Sequence, residues 1–356
     1  MTLLFISSDA RPRYAEDILT VVATPPGGIF QFRYETRYVA PDIQSIVGNG
    51  MIVGQDAVIA FGGKVGTVDA FIMPTRLASV HSAEIIAEAL IIKFLAKDFP
   101  DVTSLQRDAV DIEDKGKVVL TQVMSRYGGT YWPAVARSDG LVANAAGSGP
   151  SEWNDVVSRL SKLSAFSGSF FIRLSLVYAT NKSFKEMFSR SKFFSMTPVE
   201  LHDGSATLSN RNAAILRCWF SRETLASDER RITVKCDDAI VQISSDDSYD
   251  ITSRYDDIEF WLHPRRLPVN SRTVLSIRVP GNPQVPGDLT TRVSLPIVVS
   301  RPVAPRLTRG LTSAVGAGLI AAPAILGVGS SLGLRLLLAA AGALIVSLVA
   351  ALSGTP

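Results

Sequence analysis

Two long apolar runs near the C-terminus are the clearest pattern along the chain. They lie between Thr312 and Leu352, separated by a short break at Ser330 and Ser331, and Arg335 is the only charged residue in either run. About 18–20 apolar residues in a helix cross the hydrocarbon core of a bilayer, whereas a helix in water keeps a polar face. The pattern therefore predicts a two-span transmembrane hairpin over residues 311–352.

Small residues recur at four-residue spacing inside both predicted spans. Ala314, Gly318 and Ala322 form one such row, and Ala339 and Ala343 form the other. Rows of small residues let helices approach closely. We expect these residues to pack the two spans against each other or to join copies of the chain.

The segment before the first span is rich in proline and arginine. Residues 301–310 are predicted to be a stiff linker, with Arg301, Arg306 and Arg309 as the membrane flank. Arginine before a span marks the cytoplasmic side, and the N-terminus lacks the pattern of a secretory signal. The predicted location is the inner (cytoplasmic) membrane, with the soluble domains facing the cytoplasm. Arg335 leaves a single span with a re-entrant segment as an alternative.

The N-terminal part alternates in a way typical of β-strands. From Ile29 to Val39 one face is aromatic and the other polar. Leu19–Thr24 ends at a Pro-Pro-Gly-Gly turn and is also interpreted as a strand, and Ala83–Leu95 as strand–turn–strand. Residues 1–122 are therefore predicted to form a small β-barrel or sandwich.

The remaining soluble part has two predicted regions. Residues 123–167 are interpreted as a linker that contains an amphipathic helix at 151–165. Residues 168–300 contain about seven short apolar segments bounded by turns, which predicts an immunoglobulin-like β-sandwich. The fold class is therefore mainly β.

A basic and aromatic stretch interrupts this second domain between residues 182 and 196. Two functional interpretations are a contact with a protein partner and a contact with an anionic membrane surface; an ordinary connecting segment is the third. The residues predicted for such a contact are Lys182, Lys185, Phe188, Arg190, Phe193 and Phe194.

The net charge bears on the expected partners, and the cysteines bear on whether a disulfide forms. The net charge is +3 and the basic residues are spread along the chain, so nucleic acid is not an expected partner. Cys218 and Cys236 are predicted to be separate buried thiols, because a cytoplasmic location disfavours a disulfide. A disulfide would be expected only if the body were exported.

The sequence contains no motif that predicts a catalytic, cofactor or metal site. His81, His202 and His263 are scattered, without metal-ligand spacing, and a Gly-x-Ser-x-Gly elbow is absent. The glycines at 48–54 and 61–66 are interpreted as turns, since neither group leads from a strand into a helix with a Gly-Lys-Ser/Thr motif. The acidic pairs at 237–238 and 246–247 are interpreted as solvated turns, with a calcium loop as the alternative.

Three functions remain open, and no family is identified by motif. The first is a non-enzymatic, membrane-anchored binding or sensor protein, whose β-domains recognise a small-molecule ligand or a protein partner. At the level of architecture, a sensing body on a two-span tail also resembles the membrane effectors of prokaryotic antiviral systems, which implies spans that assemble and breach the bilayer. The third is a hydrolase with a site assembled from loops. The expected partners are the bilayer and a protein or a second copy of the chain.

Overall fold

Two strands near the N-terminus are apolar along nearly their whole length. Strand β1 (Thr2–Ser8) pairs in parallel with β3 (Asp56–Gly63), with Leu4 opposite Val58. Both strands are buried on both faces, which is typical of strands at the centre of a sheet covered on two sides. Both are interior strands of the first sheet.

The computed structural model describes residues 1–129, 132–138, 144–181, 194–210, 212–223, 230–244, 247–267 and 269–300, with side chains outside 179–181 and 194–196. Met1–Ser300 forms one folding unit. Its helices are α1 (Pro12–Ala23), α2 (Pro41–Gly48), α3 (Ala109–Ser125) and α4 (Pro150–Leu160), with short 3-10 turns at Thr36–Tyr38 and Ser164–Phe166. Its further strands are β2 (Ile29–Glu35), β4 (Phe71–Ile86), β5 (Ala89–Ala96), β6 (Phe99–Pro100), β7 (Val135–Arg137), β8 (Ala145–Gly147), β9 (Phe171–Asn181), β10 (Phe194–Pro198), β11 (Leu201–His202), β12 (Ser205–Ser209), β13 (Ala214–Ser221), β14 (Arg230–Lys235), β15 (Val241–Ile243), β16 (Ser248–Ile251), β17 (Tyr255–Pro264), β18 (Ser271–Val279) and β19 (Thr291–Ser300).

The first sheet has the order β2-β5-β4-β3-β1-β7 and is strongly curled. The rings of Phe5 on β1 and Phe94 on β5 lie 4.7 Å apart, although two strands separate them in the sheet. Neighbouring strands are about 4.8 Å apart, so a flat sheet would hold these rings at roughly three times that spacing. The curl therefore brings β1 over β5 and β2.

Helices cover both faces of this sheet. Helix α3 packs on one face through Leu120 and Val123, beside Ile6 and Ile72. Helices α1, α2 and α4 contribute to the larger core on the other face. Asp108 caps α3 by accepting a hydrogen bond from the backbone N–H of Asp111 at 2.8 Å.

The second half is a sandwich-like pair of sheets. One has the order β10-β9-β13-β17-β15, and the other has the order β11-β12-β19-β18-β14-β16. Their facing residues form one apolar core, which includes Leu216, Phe260, Leu275 and Leu295. The prediction of a mainly β fold with a sandwich-like second half is confirmed, although β12 and β19 pair in parallel rather than antiparallel.

Residues 1–122 were predicted to be wholly β, but the structure contains helices there. Leu19–Thr24, predicted as a strand, belongs almost entirely to α1, and α2 and α3 also fall within residues 1–122. Pro12 occupies the first turn of α1, where its missing N–H costs nothing. The predicted strand–turn–strand at Ala83–Leu95 is confirmed, because β4 and β5 pair as a hairpin.

Residues assigned to a linker contribute to the core. Helix α4 buries Trp153, Val156, Val157 and Leu160 against the first half. It ends at Leu160, earlier than the expected boundary at 165.

Among the described residues, no helix is both long and apolar enough to span a bilayer. The predicted hairpin at 311–352 and the linker at 301–310 lie outside the described residues.

The contact between α3 and β4 depends on a glycine. A Cβ atom added at Gly116 would overlap the backbone carbonyl of Ile72. We expect Gly116→Ala to lower the free energy of unfolding by about 1–3 kcal/mol, the usual cost of overpacking. Chemical denaturation of the purified chain measures this change. Gly48→Ala is the control, because no atom lies within 4 Å of its added Cβ; equal changes in both variants would contradict the packing argument.

Candidate ligand-binding site

A cavity of about 260 Å³ opens where β1 ends, α1 begins and β2 ends. We call it the α1 cavity. Its polar and aromatic lining includes Ser7, Arg11, Tyr14, Asp17, Arg33, Tyr34 and Trp132. In sheets with parallel strands, ligands commonly bind at the carboxyl ends of the strands, and this cavity lies at that end of β1.

The loop after β1 is held in place by an acidic side chain. The carboxylate of Asp9 accepts hydrogen bonds from the backbone N–H groups of Lys64 at 2.7 Å and Val65 at 3.3 Å. Lys64 has a φ of 53°, a left-handed conformation that the two bonds stabilise. Because Val65 lines the cavity, the β1–α1 loop and the β3–β4 turn form one wall.

Tyr34 joins the apolar core to this cavity. Its ring packs against Phe5 and Phe32, at centroid distances of 6.2 and 5.9 Å. The residue is only 8% exposed, yet its hydroxyl has no hydrogen-bond partner among the described residues. Burial raises the pKa of Tyr34 well above its usual value, and the nearby charge of Asp17 adds to the increase. The hydroxyl is therefore a neutral donor at physiological pH.

Asp17 supplies a carboxyl group to the same cavity. It lies on α1, is partly buried and makes no hydrogen bond within the described part of the chain. Burial raises the pKa of Asp17 from 3.8 to about 6, Arg13 opposes this effect, and Glu16 adds to it. Near neutral pH Asp17 is mostly a hydrogen-bond acceptor, and below pH 6 it also becomes a donor.

Aromatic rings and guanidinium groups surround this polar pair. The guanidinium of Arg11 lies 5.9 Å from the ring centre of Tyr14, and that of Arg37 lies 4.9 Å from the ring centre of Tyr38. Arg37 also pairs with Glu35 at 2.6 Å. Flat rings and guanidinium groups favour a planar polar ligand.

The hydroxyl of Ser7, a potential nucleophile in this cavity, is held by the backbone. It donates a hydrogen bond to the backbone oxygen of Tyr14 at 2.7 Å. No histidine is among the residues that line the cavity, so Ser7 is not part of a serine–histidine pair here.

The cysteines are separate free thiols, as predicted. Cys218 is fully buried in the sandwich, and burial raises its pKa far above the usual range. Cys236 donates a hydrogen bond to the backbone oxygen of Val241 at 2.9 Å, and burial raises its pKa to about 11. Both thiols therefore stay protonated and unreactive near neutral pH.

The three histidines are not grouped with other possible metal ligands in the described part of the chain. His263 hydrogen-bonds with Ser244 at 3.0 Å and stacks on Trp261, while His202 lies 3.8 Å from Glu200. In the part of the chain that the structure describes, no three His, Cys, Asp or Glu side chains are grouped as a metal site requires.

The residues predicted for membrane and partner contacts lie outside the described part of the chain. Phe194 begins strand β10, but its side chain is not described. The other residues concerned are Lys182, Lys185, Phe188, Arg190, Phe193, Arg301, Arg306, Arg309, Ala314, Gly318, Ala322, Ala339 and Ala343.

The pair of Asp17 and Tyr34 was not predicted from the sequence. Tyr34 belongs to the aromatic face of the strand that begins at Ile29, which indicated burial but no role. Asp17 is an acidic residue one position before the buried Ile18 and Leu19 of α1. A buried helix with an acid beside its apolar face was the available signal, and the strand interpretation of Leu19–Thr24 concealed it.

Comparison with known proteins does not identify a family for this chain. No protein-family model matches the chain, and no curated protein matches it either. The function must therefore be argued from the geometry of the site.

The raised pKa of Asp17 makes stability depend on pH. The folded protein holds this proton up to about pH 6, whereas the unfolded chain releases it near 3.8. The stabilisation is therefore fully present below pH 4 and is lost as the pH rises through 6. We expect Asp17→Asn to be more stable than the native chain at pH 7 and to lose this advantage towards pH 4.

Urea denaturation at pH 4, 5, 6 and 7 measures the difference. Asp114→Asn, at an exposed position of α3, is the matched control for the loss of a carboxylate. A constant difference between Asp17→Asn and the native chain at all four pH values would contradict the assignment.

Proposed function

We propose that this chain is a non-enzymatic binding protein that senses a small planar polar ligand in the α1 cavity. The observation that carries the proposal is the unpartnered hydroxyl of Tyr34 beside the carboxyl group of Asp17. One supplies a hydrogen-bond donor and the other an acceptor; the hydroxyl is buried beside aromatic rings, and the carboxyl group is partly buried. Burying such groups without partners costs free energy, so a ligand that satisfies both would bind favourably.

Helix α1 supports a sensing role because it contacts two parts of the body. Its first half lines the cavity, while the hydroxyl of Thr20 donates a hydrogen bond to the backbone oxygen of Arg292 at 2.8 Å. The carboxylate of Glu16 accepts one from the backbone N–H of Thr290 at 3.2 Å. These contacts reach β19, which ends at Ser300, the residue before the predicted membrane linker.

We further propose that residues 311–352 hold the protein at the inner (cytoplasmic) membrane as a two-span hairpin. The support is the length of the two apolar runs and the arginine residues at 301, 306 and 309. The rows of small residues favour self-association of the spans. The same rows support the second candidate function, a membrane effector whose hairpins assemble when the body is triggered.

Tyr34→Phe separates ligand binding from folding. The change removes only a buried hydroxyl without a partner, so the free energy of unfolding of the ligand-free chain should stay the same or rise by about 1 kcal/mol. Binding of planar polar probes should weaken by about tenfold, the value of one hydrogen bond of roughly 1.4 kcal/mol. Ligand-observed NMR with adenine, uracil, nicotinamide and benzamide measures the binding.

Tyr249→Phe is the control, because that tyrosine is exposed on β16. It should change neither binding nor stability. Probes that bind the native chain and Tyr34→Phe equally well would exclude this cavity as the site. A large loss of stability in Tyr34→Phe would mean that the hydroxyl has a structural role.

Expression of the full chain and of residues 1–305 tests the anchor. We expect the full chain to sediment with membranes and the shorter chain to stay in the supernatant, because only the former contains the apolar runs. Growth and membrane potential are followed in the same cultures. Depolarisation by the full chain alone, abolished by Gly318→Leu with Ala322→Leu, would favour the effector. A full chain that remains in the supernatant would contradict both the anchor and the effector function.

A further inference from the structure

A second cavity, of about 460 Å³, lies between α4 and the first sheet of the sandwich. We call it the α4 cleft. Arg173 on β9 and Asp257 on β17 are the cross-strand neighbours of Trp219 on β13. These three residues line one side of the cleft, and Trp153 and Asn154 of α4 line the other. The cleft is built from strands and a helix rather than from loops.

Arg173 is a partly buried cation without an anionic partner. Its guanidinium carbon lies 4.8 Å from the ring centre of Trp219. It forms no hydrogen bond or ion pair with the described residues. Burial lowers the pKa of Arg173, and the charge of Glu152 partly offsets this effect.

Arg217, two residues before Trp219 on β13, contacts the same ring but has anionic partners. Its guanidinium carbon lies 4.9 Å from the same ring centre. It pairs with Asp257 at 2.9 Å and with Glu259 at 3.0 Å. Of the two guanidinium groups stacked on Trp219, only that of Arg173 therefore has its donors available.

Trp153 adds a neutral donor to the same cleft. It is 3% exposed, and its indole Nε1 has no hydrogen-bond acceptor among the described residues. A buried tryptophan usually finds a partner for this N–H. Its ring packs in the core of the first half, so its position is determined by packing.

A second guanidinium group, that of Arg76, is buried near Arg173. Arg76 is 1% exposed, its guanidinium carbon lies 3.8 Å from the ring centre of Phe99, and its Nε and Nη2 atoms lack partners among the described residues. The pKa of Arg76 is lowered to about 9, mainly by burial; the charge of Asp98 opposes this effect, and the like charge of Arg173 adds to it. Two guanidinium groups that repel each other are thus held close together.

Carboxylates near the cleft do not neutralise these donors. Glu152 acts on Arg173 only through its charge, without a hydrogen bond or ion pair. Asp256 accepts a hydrogen bond from the backbone N–H of Asp257 at 2.9 Å, and Asp257 pairs with Arg217. The partnerless groups here, Arg173, Arg76 and the indole N–H of Trp153, are all donors.

We propose that the α4 cleft is a binding site for a small molecule that carries an oxyanion group, either a carboxylate or a phosphate. The guanidinium of Arg173 and the Nε1–H of Trp153 donate hydrogen bonds to its oxygens. Arg76 adds long-range attraction in a poorly solvated region. Stacking on Trp219 holds the guanidinium of Arg173 in one plane, which suits a two-point contact with an oxyanion. This site does not depend on ligand binding in the α1 cavity.

The full chain is titrated with inorganic phosphate and with benzoate, and binding is followed by calorimetry and by tryptophan fluorescence. We expect at least one of these probes to bind, more weakly at higher sodium chloride concentration because salt screens the attraction. Arg173→Gln should weaken that binding by about tenfold or more, since hydrogen bonds to charged groups contribute roughly 1.5–3 kcal/mol. Arg278→Gln, at an exposed position of β18, is the matched control.

A second variant tests the indole donor. Trp153→Phe keeps an aromatic ring in the core but removes the Nε1 donor and part of the indole, so it should weaken binding about fivefold or more and also lower stability somewhat. Urea denaturation checks that the variant is folded under the binding conditions. Trp261→Phe, on β17 outside the cleft, should bind as the native chain does. Preference for phosphate or for benzoate identifies the type of oxyanion. Failure of both probes to bind at 10 mM, on the order of the weakest affinity of interest, would overturn the proposal, as would equal binding by Arg173→Gln and Arg278→Gln.

Discussion

The first half of the protein depends on a cluster of aromatic rings inside a curled sheet. The ring of Phe94 contacts those of Phe5, Phe30 and Phe32 at centroid distances of 4.7–5.7 Å. Such contacts contribute about 0.5–1.5 kcal/mol each beyond the burial of apolar area. They draw β1 towards β2 and β5 across the inside of the sheet, and the α1 cavity exists because the ends of β1 and β2 then meet. Tyr34, at the edge of the cluster, carries the polar group that the cavity presents.

Helix α1 is the element that the two halves share. Its residues Ile18, Leu19 and Val22 belong to the core of the first half, while Ala23 belongs to the core of the sandwich. The same helix presents Asp17 to the cavity and Thr20 to strand β19. A shift of α1 on ligand binding would therefore change packing on both sides, as expected of a bistable element between two sites. The α4 cleft lies at a different contact of the two halves and involves none of these residues.

Sequence patterns predicted the elements whose periodicity is set by one buried face. The aromatic face of β2, the hairpin of β4 and β5, and the alternation in the sandwich strands all follow this rule. The second half of α1 was mistaken for a strand because Leu19, Val21, Val22 and Ala23 are all buried, with β-branched Thr20 among them, so its pattern resembles that of a buried strand. Helix α3 was missed because its outward residues include Val110 and Val118, which are exposed and blur the helical period.

Asp17 and Tyr34 meet only through the curl of the sheet, which no local pattern encodes. The membrane hairpin rests on the apolar runs of the sequence alone.

The contact between Thr20 and Arg292 also bears on how the protein is made. The two residues are 272 positions apart, so the second half of α1 cannot complete its packing until β19 has been synthesised. At 5–20 residues per second, translation separates these events by roughly 15–55 s. During that interval the nascent chain carries a finished N-terminal segment with an uncovered surface on α1. Until β19 has left the ribosome, this surface of α1 stays open to other contacts.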